Sequence, residues 1–275
     1  MAKLHMLDSV RDTINTSFIL EEGEYKIAFD GGFACEAEKL YEYLCSVGGV
    51  IDGWFLTHIH DDHICAFINI LNEHDDIIVK KVYCNFPSDE FLDKYDPSQG
   101  KGLTSVELSR QFREALSNRG VPLVTVNEGD VYNFGDISVS VLQTPDENIT
   151  ENAINNSSCV FSVGVNGKKI LFLGDLGVEG GQRLLAHVDK DVLRSDYVQM
   201  AHHGQSGVER AVYEAIQPRF CLWCTPSWLW DNIDRKIGLY DSGVYKTLIV
   251  RGWISEMRCV ERHYRMIDGT QVIEI

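Results

Sequence analysis

No run of apolar residues in this chain reaches the roughly 18 needed to cross a bilayer, so no membrane partner is expected. The N-terminal stretch "MAKLHMLDSVRDT" lacks the apolar core of an export signal, and the expected compartment is the cytoplasm. Basic charge is also scarce: 25 Lys and Arg stand against 41 Asp and Glu, a formal net charge of −16, and the only adjacent basic pairs of note are Lys80-Lys81 and Lys168-Lys169. Such a surface repels polyphosphates at long range, which counts against a polynucleotide partner. A small-molecule substrate remains open, because a local metal charge outweighs a diffuse field inside a pocket. There is no Pro/Gly/Ser-rich linker and no repeat of fixed period, which favours a single domain over 1–275. A second CxxC is missing too, so "CLWC" (Cys221, Cys224) reads as packing at a strand end rather than half of a zinc site. The chain holds eight cysteines, but 275 residues build a core without staples, and reduced thiols are expected.

What is present is an alternation of strand and helix. "SFIL" and "YKIAF" read as strands joined by "EEGE", followed by a helix in "EAEKLYEYLCSV" and a short buried strand in "GWFL". Helical spacing returns in "CAFINILNEH" and over 105–118, where Gly120 and Pro122 mark the stop. Strands are expected at "DIIVKKVYC", "VPLVTV", "ISVSVLQT", "CVFSVGV" and "KKILFLGD", the last two joined by "NG", a hairpin signal. Helix 178–188, strand "YVQMA", helix "ERAVYEAI", strand "RFCLWC", a helix near 242–254 and two short strands complete the pattern. Hairpins among the strands make the sheets mixed, and the fold class is α/β with two sheets sandwiched between helices. Residues 85–104 read as a surface insertion. The aromatic-rich 226–245, with Trp228, Trp230, Tyr240 and Tyr245, reads as a loop that covers a pocket, a sheet edge or another subunit.

Three of the nine histidines and two aspartates fall within "HIHDDH". Zinc takes imidazole and carboxylate ligands in near-tetrahedral geometry, and close spacing on a loop builds half of such a site. His58 and His60, one residue apart in an extended segment, project to the same side and suit one metal. Asp62 and His63 lie where the chain turns into a helix, whose N-terminal dipole favours an ionised carboxylate, and suit a second.

The pattern H-x-H-x-D-H resembles the metallo-β-lactamase superfamily, and the resemblance extends over most of the chain. "YKIAFDGG", "GWFLTHIHDDH", "ILFLGD" and "YVQMAHHG" look like that family's strands ending in Asp-Gly, the metal loop, a bridging aspartate (Asp175) and the last ligand histidine. For that last ligand His202 is placed first, because it directly follows the strand, with His203 as the alternative. "NNSSCVFSV", "ILFLGD" and "AHHGQSG" most resemble the branch that contains the C-terminal hydrolase domain of the DNA-uptake protein ComEC, with Gln205 where a serine is usual. Two departures stand out. The family's further histidine ligand has no counterpart between His63 and Asp175 except His74, which follows the loop too closely. Asn155 or Asn156 either takes that place, holds a water there, or caps backbone groups instead. The branch's early Gly-x-Gly-Asp is absent from "LDSVRDTINTSF".

The resemblance implies an αββα sandwich and a hydrolase with two divalent metal ions, zinc first and manganese or iron as alternatives. A metal-bound hydroxide would attack a small phosphodiester or other phosphate-bearing substrate. Asp62, Asp175 and His203 are the expected catalytic groups, with His203 donating a hydrogen bond to developing charge. Lactone or thioester hydrolysis is the alternative within the class; outside it stands a non-enzymatic metal-binding protein with a degenerate first site. Oxidation in the manner of flavodiiron proteins is discounted because His60 stands where they typically carry glutamate. His263 is either a group behind the metal ligands or an ordinary strand histidine, and Asp61 is a spacer.

Overall fold

The computed structural model describes residues 1–96, 103–231 and 246–275. Sixteen strands are described among them. In chain order they are β1 (Lys3–Met6), β2 (Phe18–Glu22), β3 (Tyr25–Phe29), β4 (Val50–Ile51), β5 (Gly53–Phe55), β6 (Ile78–Val79), β7 (Val82–Cys84) and β8 (Leu123–Thr125). The second half adds β9 (Val131–Phe134), β10 (Ile137–Gln143), β11 (Val160–Val165), β12 (Lys168–Phe172), β13 (Tyr197–Gln199), β14 (Phe220–Trp223), β15 (Arg262–Arg265) and β16 (Gln271–Glu274). One seven-stranded sheet runs β16-β1-β2-β3-β5-β7-β8, and a second runs β15-β14-β13-β12-β11-β10-β9. Each sheet is antiparallel on one side and parallel on the other: β3, β5, β7 and β8 run together in the first, β12 to β15 in the second.

The helices are α1 (Ala37–Ser46), α2 (Asp61–Glu73), α3 (Asp89–Tyr95), α4 (Ser105–Arg119), α5 (Ala153–Asn156), α6 (Val178–His187), α7 (Lys190–Leu193), α8 (Arg210–Ile216), α9 (Ser227–Trp230) and α10 (Thr247–Ser255). They form the outer layers. Trp54, Leu40, Phe67 and Phe112 fill the space between the first sheet and α1, α2 and α4. Phe18, Phe29, Phe55, Phe161 and Phe172 fill the space between the sheets, where Phe29 and Phe172 stack at 4.0 Å. Leu171, Val198, Val212, Trp223 and Ile254 close the layer under α6, α8 and α10. This is the expected αββα sandwich.

Local sequence explains the element ends. The alternation in "ISVSVLQ" turns Ile137, Val139, Val141 and Gln143 inward, the period of a strand with one wet face. A capping box between Thr104 and Glu107 starts α4, and Gly120 at φ 63° ends it. "NG" turns β11 into β12 with Asn166 at φ 51° and Gly167 at φ 72°, the positive pair a tight hairpin needs. Strands β1, β4 and β9 were not expected from the sequence, and the one strand expected in "DIIVKKVYC" is two: β6, which pairs with β4 in a separate two-stranded sheet, and β7 in the first sheet. Within 85–104, Asp89–Tyr95 form α3 and bury Phe91 and Leu92 in the first core, while 97–102 lie outside the described residues. Cys221 faces the helix layer and Cys224 the space between sheets, so the CxxC thiols lie on opposite faces of the second sheet. No described helix is long and apolar enough to cross a membrane.

Candidate metal centre

The predicted ligands meet where parallel strands end. β5 runs into Thr57, His58 and His60, α2 begins at Asp61, β12 runs into Asp175, and β13 runs into His202 and His203. Carboxyl ends of parallel strands are the usual place for a site in open α/β sheets, because the loops diverge there.

Two groups of ligand atoms form, each with its atoms within 4.8 Å of one another: Asp62, His63, Asp175 and His203, and His58, His60 and Asp175. Asp175 belongs to both. Its Oδ1 lies 3.2 Å from His63 Nε2, while Oδ2 lies 3.3 Å from His203 Nε2 and 4.0 Å from His58 Nε2. Asp62 Oδ2 lies 2.9 Å from His203 Nε2. Yet His63 Nε2, His203 Nε2 and Asp175 Oδ1 are buried and none makes a hydrogen bond of good geometry. Buried polar atoms rarely go unpaired. Atoms that crowd one another without aligning are disposed as donors around a shared cation, and the set of imidazoles and carboxylates suits a divalent metal.

The electrostatics agree. Burial would raise the Asp62 and Asp175 carboxyls, but the histidines around them hold both well below the ordinary range. Burial would lower His63, but Asp175, Asp62 and Asp30 hold it well above; His203 is likewise pushed up to about 9. A proton there supplies the positive charge that buried carboxylates demand. His58, buried and beside His63, is pushed well below its ordinary value and offers a neutral ring.

His203, not His202, joins Asp62 and His63. The chain takes three successive positive φ values, 50° at His202, 54° at His203 and 79° at Gly204, and the first histidine of the pair is not the innermost ring. Such a run is strained for non-glycine residues and persists only where surroundings fix it. Here Thr225 Oγ1 donates to His203 O at 2.6 Å, His203 Nδ1 faces Cys224 O at 3.2 Å, and a Cβ on Gly204 would strike Trp223 at 2.5 Å. His202 keeps its side chain 20% exposed with Nε2 3.8 Å from Asp175 Oδ2.

The two asparagines have separate fates. Asn156 Oδ1 accepts from Gly177 and Gly180 N–H at 2.9 Å each, and its Nδ2 donates to Glu151 O and Glu179 Oε2, so it caps α6 and has nothing left for a ligand. Asn155 donates to Asn152 Oδ1, but its own buried Oδ1 is unpartnered. His263 stands on β15, where its Nδ1 accepts from Trp223 Nε1 at 3.0 Å, and falls in neither ligand group. Asp61 is exposed. From 226–245, Ser227 and Trp228 are pinned to Asp12, while 232–245, with Tyr240 and Tyr245, lie outside the described residues.

Asp30 was not singled out as a site residue. Its Oδ1 accepts from Thr57 N–H and its Oδ2 from Thr57 Oγ1 and His63 Nδ1, all at 2.8 Å, and Thr57 Oγ1 lies 3.1 Å from His58 Nδ1. One fully buried carboxylate thus orients a ligand of each group. The signal was "FDGG", an aspartate at a strand end with φ 50° beside glycines.

A sequence model described as the metallo-beta-lactamase superfamily matches residues 10–202. The chain belongs to this superfamily. Among solved structures, the metallo-beta-lactamase fold protein YhfI from Bacillus subtilis is similar over 100% of both chains, at 12% identity and a TM-score of 0.56. CmlA, a diiron beta-hydroxylase from Streptomyces venezuelae, is similar over 100% of this chain and 54% of its own, at 12% identity and a TM-score of 0.59. Identities this low show the fold alone. No curated protein is significantly similar in sequence. The superfamily match ends at His202, one residue short of the histidine that reaches the metal-ligand group.

Proposed function

We propose that this protein is a dinuclear-metal hydrolase, zinc-dependent, acting on a small phosphodiester or other phosphate-bearing substrate. The observation that carries it is Asp175, a buried carboxylate shared by two groups of imidazole and carboxylate atoms, of which His63 Nε2, His203 Nε2 and Asp175 Oδ1 are buried without a hydrogen bond. Divalent metal bound there would act as a Lewis acid and lower the pKa of a bound water to about 7.

The chain's own residues prepare that chemistry. Asp62 and Asp175 stay ionised, and Asp30 fixes His63 with the proton on Nδ1, because a carboxylate can only accept; Nε2 then faces Asp175. His202 stands beside the ligand group rather than in it, partly exposed, with Nδ1 facing Ser206 O at 3.4 Å, and is the residue we assign to donate a hydrogen bond from Nε2, in its protonated form, to charge developing on the substrate. That role was expected of His203, and the two histidines exchange places. The phosphate-bearing class rests on the likeness of "NNSSCVFSV", "ILFLGD" and "AHHGQSG" to the ComEC-type branch, and the net charge of −16 favours a small substrate over a polymer.

A second reading has one observation in its favour. The His58 group holds three ligand residues against four in the other, and Asn156 is committed elsewhere, which suits a protein that holds one metal without turnover. Metal analysis with a screen of chromogenic phosphodiesters, phosphomonoesters and lactones separates the two. The hydrolase reading requires metal-dependent turnover of a phosphoester that Asp175→Ala abolishes; one metal and no turnover of any ester supports the second.

A further inference from the structure

The strands that end at the metal ligands begin at a different feature. Lys168 and Lys169 open β12, Asp196 precedes β13 and Arg219 precedes β14, and with Arg194 they line a cavity of about 400 Å³. Asp175, His203 and Cys224 follow the other ends of the same strands, so the length of the sheet separates the cavity from the metal ligands. Four cations around one cavity, with a single carboxylate in its lining, stand out in a chain of net charge −16.

Two of the four are compensated. Asp196 Oδ1 lies 3.2 Å from Lys168 Nζ and 3.5 Å from Arg219 Nη1, and Glu261 Oε1 takes Arg219 Nε at 2.7 Å. The other two make no ion pair among the described residues, although Asp196 acts on Lys169 at longer range. Lys169 Nζ donates to a backbone carbonyl, Val192 O, and burial lowers its pKa. Arg194 is exposed and makes no ion pair among the described residues. A desolvated ammonium and an unpaired guanidinium beside one concave surface form an anion site, and the planar guanidinium fork suits phosphate oxygens. The volume falls in the range of small-molecule pockets. An adjoining cavity also contains Arg194, but its lining adds Asp191 and Glu214, which disfavour an anion there.

We propose that the cavity at the starts of β12, β13 and β14 binds a dianionic phosphate group, free or in a small monoester, through Lys169 and Arg194. The test is calorimetric titration of inorganic phosphate into the full-length, metal-loaded protein, wild type against Arg194→Ala and Lys169→Met. Phosphate at the metals is common to all three, so the difference isolates the cavity. Wild type should bind one phosphate more than either variant, or bind it about tenfold more tightly, the loss expected for one charge-assisted contact. Metal content should be unchanged, and so should turnover without added phosphate. AMP that displaces this phosphate assigns the site to monoesters; AMP that does not assigns it to the free anion. Equal phosphate stoichiometry and affinity in wild type and Arg194→Ala, whose exposed side chain is not needed for folding, overturns the assignment.

Discussion

Asp30 accepts the Nδ1 proton of His63 at 2.8 Å, with both side chains fully buried. That contact leaves His63 Nε2 for a metal and sets the ring's orientation. Asp30→Asn should therefore weaken metal binding by about 10- to 100-fold, the usual cost of losing such a partner. Competition with a metal-binding dye measures it; unchanged affinity would show that the contact does not position His63.

Metal uptake should release protons. His203 carries its proton up to about pH 9, and Asp175, Asp62 and Asp30 hold the His63 proton well above the ordinary histidine range, so both must lose it on binding. Apparent affinity should rise as pH rises from 6 towards 9. The metal-free protein should behave the opposite way. A histidine with a raised folded pKa contributes stability that is full below its unfolded pKa of about 6.5 and lost as pH climbs through about 9. Calorimetry in buffers of different ionisation enthalpy, with thermal melts of both forms, tests the two signs.

The adjacent histidines should separate in their effects. His203→Ala removes a buried partner of two carboxylates and should cost the metal-free protein about 3 to 5 kcal/mol together with its metal. His202→Ala should retain metal and melting temperature while lowering kcat about 100-fold, the scale of one lost transition-state donor. Metal content, melts and turnover on one set of preparations distinguish them.

Asn155 and Asn156 should separate as well. Asn156→Ala leaves the Gly177 and Gly180 N–H groups without an acceptor and should destabilise the fold by about 1 to 3 kcal/mol. Asn155→Ala should leave stability near wild type and change only occupancy of the His58 group. Chemical denaturation beside metal titration reads both.

Much of this was legible in the sequence because the chemistry is local. His58, His60, Asp62 and His63 lie on one turn between a strand and a helix, so their spacing brings them to the sheet edge, whereas Asp175 was legible through the resemblance of "ILFLGD" to the family's strand. The sheets were legible where alternation is strict, as in β10, or where a turn has its own signature, as at Asn166-Gly167. What was not legible depends on contacts distant in sequence. β1 holds its place by pairing with β2 and with β16 from the other end of the chain. That His203 rather than His202 falls in the ligand-atom group follows from a run of positive φ that Thr225 and Trp223 enforce from β14's end, and nothing in "AHHG" announces it. Asn156 caps a helix that begins 22 residues later, at Val178.

The central claim, that one carboxylate serves two metals, is tested most directly by counting metal per chain by mass spectrometry in wild type, His58→Ala and Asp175→Ala. Two equivalents, one and none is the predicted series. One equivalent in wild type, or Asp175→Ala keeping as much metal as His58→Ala, would contradict it.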